Sequence, residues 1–207
     1  MYWDILDTNR KNILPKLAKI TNGFYLAGGT ALALQLGHRD SIDFDFFSPK
    51  QFSNTKLFQK IENIFINHKI LKTQDEKDTL SVTIDNNIKF SFITYKYKLI
   101  KPLINSKYFD IASIEDIGCM KLSAIVSRYL LKDYVDIYWI LHQISLPNLI
   151  ILNQQKHQNL DTNLVLKSLV YFDDIIPEPI LYKNNKEISF DVLKQFLTQT
   201  VTSFSRV

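Results

Sequence analysis

Apolar positions are spaced differently before and after about residue 110, and this difference divides the chain into two parts. In the first part, Asn9–Ile20 has helical spacing and is followed by short apolar runs and by stretches that alternate between apolar and polar residues, as strands do. In the second part, apolar residues recur every three or four positions, which indicates helices. The pattern predicts an α+β fold, with a mixed β-sheet and flanking helices in residues 1–110 and a C-terminal helical bundle domain in residues 111–207.

Four stretches of the first part have the pattern of strands. Phe24–Ala27 is an apolar run that stops at two glycines, and Ile42–Phe47 alternates acidic with aromatic residues. Leu80–Ile84 and Ile88–Phe92 alternate on either side of Asp85-Asn86-Asn87, whose residue types favour a turn. These last two stretches predict a β-hairpin.

Helical spacing, capping residues or a proline at a helix start predict seven further helices. Their ranges are 30–36, about 53–67, 113–129, 135–141, from 147 onward, 164–171 and 192–201. Gly37 is expected to end the first of these helices. Pro177 and Pro179 interrupt the last part of the chain. The lysine-rich stretch 96–110, which contains Pro102, predicts a connection.

The composition is that of a folded protein, with 46% hydrophobic and 22% charged residues. Cys119 is the one cysteine of the sequence, which excludes a disulfide within the chain and a zinc site made of cysteines. Met1–Arg10 contains two acids and no long apolar run, so it does not have the pattern of a secretory signal peptide. No apolar run approaches the ~20 residues that a membrane helix needs. We therefore expect a cytoplasmic protein without membrane contact.

The positive charge is concentrated in the first half of the sequence. Residues 1–110 contain 16 Lys and Arg against 11 Asp and Glu, a net charge of +5, whereas residues 111–207 contain 9 against 10, a net charge of −1. A basic surface suits a polyanionic partner such as a nucleotide or RNA. The alternative is a mildly basic protein with many surface lysines, and charge taken alone favours that alternative.

Two glycines, Gly28 and Gly29, lie between a predicted strand and a predicted helix that starts at Thr30. The first turn of a helix has free N–H groups and a partial positive charge, and glycine lets a phosphate approach the backbone closely. The Thr30 hydroxyl can add a hydrogen bond to such a ligand. The alternative is a tight turn capped by Thr30, and this short motif taken alone favours that alternative.

Asp43 and Asp45 flank Phe44 on a predicted strand, so their carboxylates lie on one face while Phe44 and Phe46 point to the other. Two neighbouring carboxylates repel each other unless a cation lies between them, and Mg²⁺ is a hard cation that binds carboxylate and phosphate oxygens. The alternative is an exposed strand with alternating acids. The aromatic neighbours argue against it, because they place the strand in a core where unpaired acids are costly.

These two motifs together resemble a known signature. Gly28-Gly29, a spacer of thirteen residues and Asp43-Phe44-Asp45 resemble the signature of the DNA polymerase β-like nucleotidyltransferase superfamily. The fuller string, with Gly37-His38-Arg39 and Ser41 before the acids, is similar to the AbiEii-type nucleotidyltransferase toxins of bacterial toxin–antitoxin and phage-defence systems. The resemblance implies a nucleotidyltransferase-type mixed sheet in residues 1–110.

A second stretch extends this resemblance. Lys121-Leu122-Ser123-Ala124, followed by Arg128 and by Lys132-Asp133 with Asp136, is similar to the Lys-Leu-x-Ala and Lys-Asp-x-x-Asp motifs of the same family. Without the first stretch, these residues also fit a solvated helix face on which Asp136 pairs with Lys132. The resemblance covers roughly residues 22–141.

The resemblance implies a Mg²⁺-dependent enzyme that moves a nucleoside monophosphate from a nucleoside triphosphate to an acceptor hydroxyl. It further implies RNA, particularly the tRNA 3′ end, as acceptor, growth inhibition by a toxin, and a cognate antitoxin. Asp43 and Asp45 are then the metal ligands, and Lys121, Asp133 and Asp136 complete the catalytic residues. The implied nucleotide-binding residues are Gly28, Gly29, Thr30, Arg39, Ser41, Lys121 and Arg128.

One departure from the superfamily pattern concerns the third carboxylate that many members supply from a neighbouring strand. Here Ile88–Tyr95 contains no acid, and Lys89 and Ser91 stand at the relevant positions. The identity of the general base is therefore open, with Asp133 and Asp136 as candidates. Two other functions also remain possible, namely a small-molecule nucleotidyltransferase of the antibiotic-modifying kind and a non-catalytic nucleotide- or RNA-binding module.

Lysines and tyrosines alternate in the stretch that follows the hairpin, with no acid between Asp85 and Asp110. Lysine–phosphate contacts and stacking of bases on tyrosine suit a single-stranded RNA end. An edge strand protected by lysines is an equally good explanation. The residues are Lys89, Lys96, Lys98, Lys101, Lys107, Tyr95, Tyr97 and Tyr108.

Overall fold

The computed structural model of the protein describes residues 1–204, which contain eight α-helices and one seven-stranded mixed sheet. The α+β fold class is confirmed, because the strands precede residue 112 and five of these helices follow it. The helices are α1 (Thr8–Ile20), α2 (Gly28–Leu36), α3 (Asn54–Ile64), α4 (Ile114–Ser127), α5 (Leu131–Leu141), α6 (Leu146–Lys156), α7 (Thr162–Leu169) and α8 (Phe190–Phe204).

The strands form a sheet in the order β3-β4-β5-β2-β1-β7-β6. The pairs β2–β5 and β1–β7 are parallel, and the other neighbours are antiparallel. The predicted hairpin is confirmed as β4 and β5. The strands are β1 (Tyr25–Ala27), β2 (Phe44–Ser48), β3 (Ile70–Glu76), β4 (Thr79–Ile84), β5 (Ile88–Thr94), β6 (Ile104–Asn105) and β7 (Asp110–Ile111).

The central strand β2 carries the acidic motif into the middle of the sheet. Phe44 and Phe46 have no exposed surface and their rings are stacked, which confirms that they point into the core. In the strand register, Asp45 lies opposite Ala27 of β1 on one side and Ser91 of β5 on the other. Because Ala27 directly precedes α2, this register places Asp45 at the start of that helix.

The helical part packs against the sheet part through α2, which contacts both α4 and α5. Apolar residues of both parts belong to one buried cluster, including Leu32 of α2, Ile117 of α4 and Ile137 of α5. Strand β7 pairs with β1 at the point where the sequence pattern changes. The division into domains at residue 110 stays a prediction.

Helices α5 and α6 follow each other closely in the chain and are rich in apolar residues. Within residues 1–204, no individual helix has both the length and the apolar character that crossing a membrane requires. Taken together, α5 and α6 meet this test by length and composition, although they are bent by 116° relative to each other. Both contribute fully buried side chains to the core, among them Ile140 and Leu149.

Candidate active site

A cleft of about 600 Å³ lies where the first turn of α2, strand β2 and helix α4 meet. The sequence singled out eleven site residues, and eight of them line this cleft. The other three, Thr30, Asp133 and Asp136, are buried next to it. The eight lining residues are Gly28, Gly29, Arg39, Ser41, Asp43, Asp45, Lys121 and Arg128.

The two predicted metal ligands lie close to the diglycine turn. A methyl group built on Gly28 would lie 3.4 Å from Oδ2 of Asp45. Asp43, which directly precedes β2, is exposed and lines the same cleft, whereas Asp45 is half-buried. The geometry therefore joins the two motifs that the sequence separates by thirteen residues.

The electrostatic environment of Asp45 disfavours its negative charge. Burial and the nearby charge of Asp43 raise the pKa of the Asp45 carboxyl above its ordinary value. A hydrogen bond from Ser91 and the charges of Lys89 and Lys121 lower this pKa and offset only part of the effect. A cation shared by Asp43 and Asp45 would remove the repulsion between them.

The oxygen donors of the cleft fit Mg²⁺ bound together with a phosphate ligand. Among the described residues, no group of three or more His, Cys, Asp or Glu side chains is arranged to hold a metal ion. Ser91 lies opposite Asp45 on β5, so that strand supplies a hydroxyl beside the carboxylate pair. Mg²⁺ is commonly held by one or two carboxylates, with water and substrate phosphates as its other ligands. Asp43 and Asp45 match this arrangement.

The start of α2 presents backbone N–H groups to the cleft. Helix α2 begins at Gly28, and no side chain of the described residues caps it. Gly28 has a φ of +70°, which L-residues with a side chain adopt only with strain. A methyl group on Gly29 would lie 2.6 Å from Nη2 of Arg39 and 3.2 Å from Oγ of Ser41. The two glycines thus allow this turn and the close approach of Arg39 and Ser41.

Thr30 lies below the floor of the cleft. Its side chain is buried, and its hydroxyl lies 2.8 Å from the hydroxyl of Ser41 and also contacts the backbone carbonyl of Asp43. These contacts connect α2 to the loop that precedes β2. Thr30 therefore holds Ser41 and Asp43 in place from behind.

A buried ion network lies behind the cleft, and Asp136 is at its centre. Arg39 donates two hydrogen bonds to Asp136 through Nε and Nη2, each 2.7 Å long. His38 Nε2 lies 2.8 Å from the same carboxylate, and Lys121 forms an ion pair with it. Burial alone would raise the pKa of the Asp136 carboxyl, but the charges of Arg39 and Lys121 hold it well below its ordinary value.

Asp133 extends this network along α5. Its carboxylate accepts hydrogen bonds from Lys121 at 2.6 Å and from Nε of Arg128 at 2.8 Å. Lys121 is therefore shared between two carboxylates, and its own side chain lines the cleft. The alternative in which Asp136 pairs with Lys132 is wrong, because Lys132 forms its ion pair with Glu178 at 3.1 Å. The buried carboxylates of the network thus hold the cationic side chains of Arg39, Lys121 and Arg128 at the surface of the cleft.

Part of the cleft wall comes from a segment that sequence reasoning missed. Residues 176–186, which we call the C-terminal strap, run along one side of the cleft, and residues 178–181 line it. Arg39 and Tyr182 form an antiparallel backbone bridge, and Leu181 O accepts a hydrogen bond of 2.8 Å from the Asp40 N–H. The strap has no periodic apolar pattern, and its prolines indicated only a break between helices. Eight further lining residues were not among the predicted site residues, among them Lys89, Met120 and Lys132.

Replacing Gly28 by alanine is expected to lower the free energy of unfolding by about 1–2 kcal/mol, because the positive φ is unfavourable for alanine. We also expect the catalytic efficiency with nucleotide to fall about 10–100-fold, because the methyl group occupies space between the backbone and Asp45. Gly23→Ala is the matched control: Gly23 has a φ of +83°, and a methyl group there meets nothing within 4 Å. Thermal unfolding and steady-state kinetics of both variants test this. Equal kinetics for the two would contradict a nucleotide site at Gly28.

Two solved structures share the fold of this chain. MenT4, a nucleotidyltransferase toxin from Mycobacterium tuberculosis H37Rv, superposes with a TM-score of 0.63 at 14% identity, over 96% of this chain and 82% of that one. The structure of ANT(2″)-Ia in complex with adenylyl-2″-tobramycin superposes with a TM-score of 0.51 at 12% identity, over 73% of this chain and 98% of that one. At these identities the similarity concerns the fold, which is that of a nucleotidyltransferase.

The sequence itself places the chain in a particular family. Residues 14–200 match the family described as "Nucleotidyl transferase AbiEii toxin, Type IV TA system". An uncharacterized protein of Aquifex aeolicus (strain VF5) is 40% identical over 161 residues, which cover 75% of this chain and 76% of that protein. The chain belongs to the AbiEii toxin family and is a nucleotidyltransferase. The resemblance indicated by the sequence motifs is thereby confirmed.

Proposed function

We propose that this enzyme transfers a nucleoside monophosphate from a nucleoside triphosphate to the 3′-terminal hydroxyl of an RNA, with tRNA as the favoured acceptor, and that it requires Mg²⁺. The observation that carries the proposal is the position of Asp43 and Asp45 beside the uncapped start of α2, within one cleft. Five cationic side chains line the same cleft, which suits a triphosphate. They are Arg39, Lys89, Lys121, Arg128 and Lys132.

The triphosphate is assigned to the first turn of α2. The backbone N–H groups at Gly28 and Gly29 bind phosphate oxygens, and the Ser41 hydroxyl adds a donor. The Lys121 ammonium has three N–H donors, of which its two carboxylate partners use two, so one is left for a phosphate. Arg128, whose side chain is 53% exposed, supplies further positive charge at the cleft surface.

The reaction is a displacement at the α-phosphorus. The acceptor hydroxyl loses its proton to solvent and its oxygen forms a bond to the α-phosphorus. The bond from that phosphorus to the bridging oxygen breaks, and pyrophosphate leaves. Asp43 and Asp45 would hold Mg²⁺, which would supply positive charge for the phosphates and would make the acceptor hydroxyl more acidic. The protein contributes mainly by positioning both substrates and by fixing charge before the reaction.

Asp133 and Asp136 are proposed to position the cations of the cleft. Both carboxylates are fully buried, and each is bound to at least two cationic groups. A carboxyl whose pKa is held far below its ordinary value, as in Asp136, is a poor acceptor of the hydroxyl proton. The role of general base is therefore not assigned to Asp136. Thr30 is also proposed to be a positioning residue, because it holds Ser41 and Asp43.

Incubation with each labelled nucleoside triphosphate, Mg²⁺ and total RNA tests the proposal. We expect label to enter RNA with the wild-type enzyme and to be lost with Asp43→Ala, because one of two metal ligands is missing. EDTA should abolish labelling, and excess Mg²⁺ should restore it. Asp173→Ala, which removes an exposed acid outside the cleft, is the control. Parallel reactions with aminoglycosides test the small-molecule alternative. Label that enters only the aminoglycoside, or enters neither the aminoglycoside nor the RNA, would contradict the proposal.

The family description supports a toxin that acts together with a cognate antitoxin, and we propose that it acts in the cytoplasm. In that case, expression of the wild-type chain inhibits growth, and expression of the Asp43→Ala variant at an equal level does not. The two cultures differ by one carboxylate in the cleft. Equal growth inhibition by both would separate toxicity from nucleotidyl transfer.

A further inference from the structure

The lysine- and tyrosine-rich stretch after β5 lies at a second cavity of about 370 Å³. Its residue Tyr97 forms one wall, and α4 contributes Ser123. The rest of the lining comes from the end of α6 and the turn after it, mainly Lys156, His157, Gln158 and Asn159. No carboxylate is among the lining residues, so the cavity does not repel an anion directly.

The second cavity lies next to the active-site cleft. Phe47, which lines the cleft, contacts Tyr95 with ring centroids 5.6 Å apart, and Tyr95 contacts Tyr97 at 5.0 Å. On α4, Met120 lines the cleft, and Ser123, three residues further, lines the second cavity. Two ring contacts and less than one turn of helix therefore separate the two sites.

Hydrogen bonds fix the wall on which Tyr97 packs. The hydroxyl of Tyr95 lies 2.7 Å from Nε2 of His157, whose Nδ1 lies 2.8 Å from the side-chain oxygen of Asn153. The ring of Tyr97 meets the ring of His157 edge to face at 4.6 Å. Burial and the charge of Lys156 lower the pKa of His157 to about 4, so its ring is neutral at pH 7.

The backbone of the stretch is also held in place. Buried Asp116 accepts hydrogen bonds from the N–H groups of Ile100 and Lys101 and pairs with Lys156 at 2.7 Å. Lys156 in turn donates to the carbonyl of Lys98 at 2.8 Å. Residues 98–101 are thus anchored to the helical part and form no strand. The edge-strand explanation therefore does not apply to residues 95–101, although it fits β6, which lies at the edge of the sheet.

The groups around the cavity suit an unpaired nucleotide. The ring of Tyr97 is 48% exposed, and the exposed Lys96 and Lys98 lie on either side of it in the chain. An aromatic face binds any base by stacking, and lysines contact the phosphates beside it. Gln158 and Asn159 offer side-chain amides of the kind that bind base edges in single-stranded RNA.

We propose that the second cavity binds a base of the acceptor RNA, upstream of the 3′-terminal nucleotide that enters the cleft. The base stacks on Tyr97, and Lys96 and Lys98 bind the adjoining phosphates. This inference rests on the proposed function, since it assumes an RNA acceptor. It assigns to the lysine- and tyrosine-rich stretch the task of holding the strand while its end reacts.

Binding of a fluorescein-labelled single-stranded RNA oligonucleotide, measured without nucleoside triphosphate, tests the inference. We expect Tyr97→Ala to raise the Kd about 5- to 150-fold, the range for loss of one stacked base, and Tyr97→Phe to preserve binding. Lys96→Ala/Lys98→Ala is expected to reduce the slope of log Kd against log salt by about 1.4, because each phosphate contact accounts for about 0.7. Tyr171→Ala removes another exposed tyrosine and is the matched control.

The same variants separate this inference from the proposed function. If Tyr97→Ala binds the oligonucleotide as wild type does, or if the wild-type chain does not bind it, the assignment of the second cavity is overturned. If the variant loses RNA affinity while its apparent KM for the nucleoside triphosphate is unchanged, the assignment is supported. If RNA binds at Tyr97 and no label ever enters RNA, the cavity assignment stands and the proposed reaction fails.

Discussion

Asparagine in place of Asp45 is expected to lower the rate of nucleotidyl transfer about 1,000-fold or more. The substitution removes one of the two carboxylates that fit Mg²⁺. A metal ion stabilises the charge of the transition state by several kcal/mol, and each 1.36 kcal/mol of that stabilisation corresponds to about a tenfold change in rate. Single-turnover kinetics at saturating nucleotide and Mg²⁺ measure the chemical step. A rate within tenfold of wild type would remove Asp45 from the reaction.

The same substitution is expected to stabilise the metal-free protein at pH 7. The pKa of the Asp45 carboxyl is higher in the folded protein than its value of about 3.9 in the unfolded chain. The stabilisation by the protonated carboxyl is therefore present at low pH and is lost as pH rises from about 3.9 through the pKa of the folded state. Asp45→Asn should therefore raise the Tm in EDTA, and this gain should shrink as pH falls towards 4. Mg²⁺ with nucleotide should raise the Tm of wild type more than that of the variant.

A control for both effects is Asp191→Asn, since the side chain of Asp191 is 93% exposed. This variant loses the same charge outside the cleft and is expected to keep the wild-type rate and Tm. A lower Tm for Asp45→Asn in EDTA would mean that this carboxylate stabilises the fold, which contradicts the electrostatics of the cleft.

Alanine in place of Asp136 is expected to lower the free energy of unfolding by about 3–5 kcal/mol, the usual range when one partner of a buried ion pair is removed. The change leaves Arg39, Lys121 and His38 without the carboxylate that they share. For a chain of 207 residues, this corresponds to a fall in Tm of roughly 6–20 °C. Urea unfolding and calorimetry measure the two quantities, with Asp191→Ala as the exposed control.

Acid titration of stability gives an independent check on the network. The pKa of Asp136 is depressed in the folded state, so its stabilisation is present above about pH 4 and is lost as pH falls through the folded pKa. Asp136→Asn is isosteric and cannot titrate, so it should lack this part of the acid dependence. An unchanged free energy of unfolding in both variants would show that the buried charges do not stabilise the fold.

The sequence allowed the carboxylate pair and the helix start to be predicted together, because both depend on local spacing. Alternation placed Phe44 and Phe46 in the core and the acids on the other face, and two glycines marked the strand-to-helix turn. The helices followed from apolar periodicity, with ends displaced by a few residues; α5, for example, begins at Leu131 rather than near Val135. Local patterns of this kind are visible in a single sequence.

Features that depend on distant contacts could not be predicted. Strand β3 is almost entirely exposed and lacks apolar alternation, and β6 and β7 have only two residues each, so none has a strand pattern. Arg39 binds Asp136 across 97 positions of sequence, which no spacing rule reveals. The strap was missed for the same reason, since its backbone partner is Arg39, far from Tyr182 in sequence.

The strap has a consequence for the order in which the enzyme becomes complete during its synthesis. A ribosome makes the glycine turn and both cleft carboxylates early, yet the wall formed by residues 178–181 is added more than 130 residues after Asp45. Until then, the backbone of Asp40 lacks its partner at Leu181, and the cleft is open on that side. A growing chain therefore lacks one wall of the cleft for most of its translation, and a fragment released before the strap is made never acquires that wall.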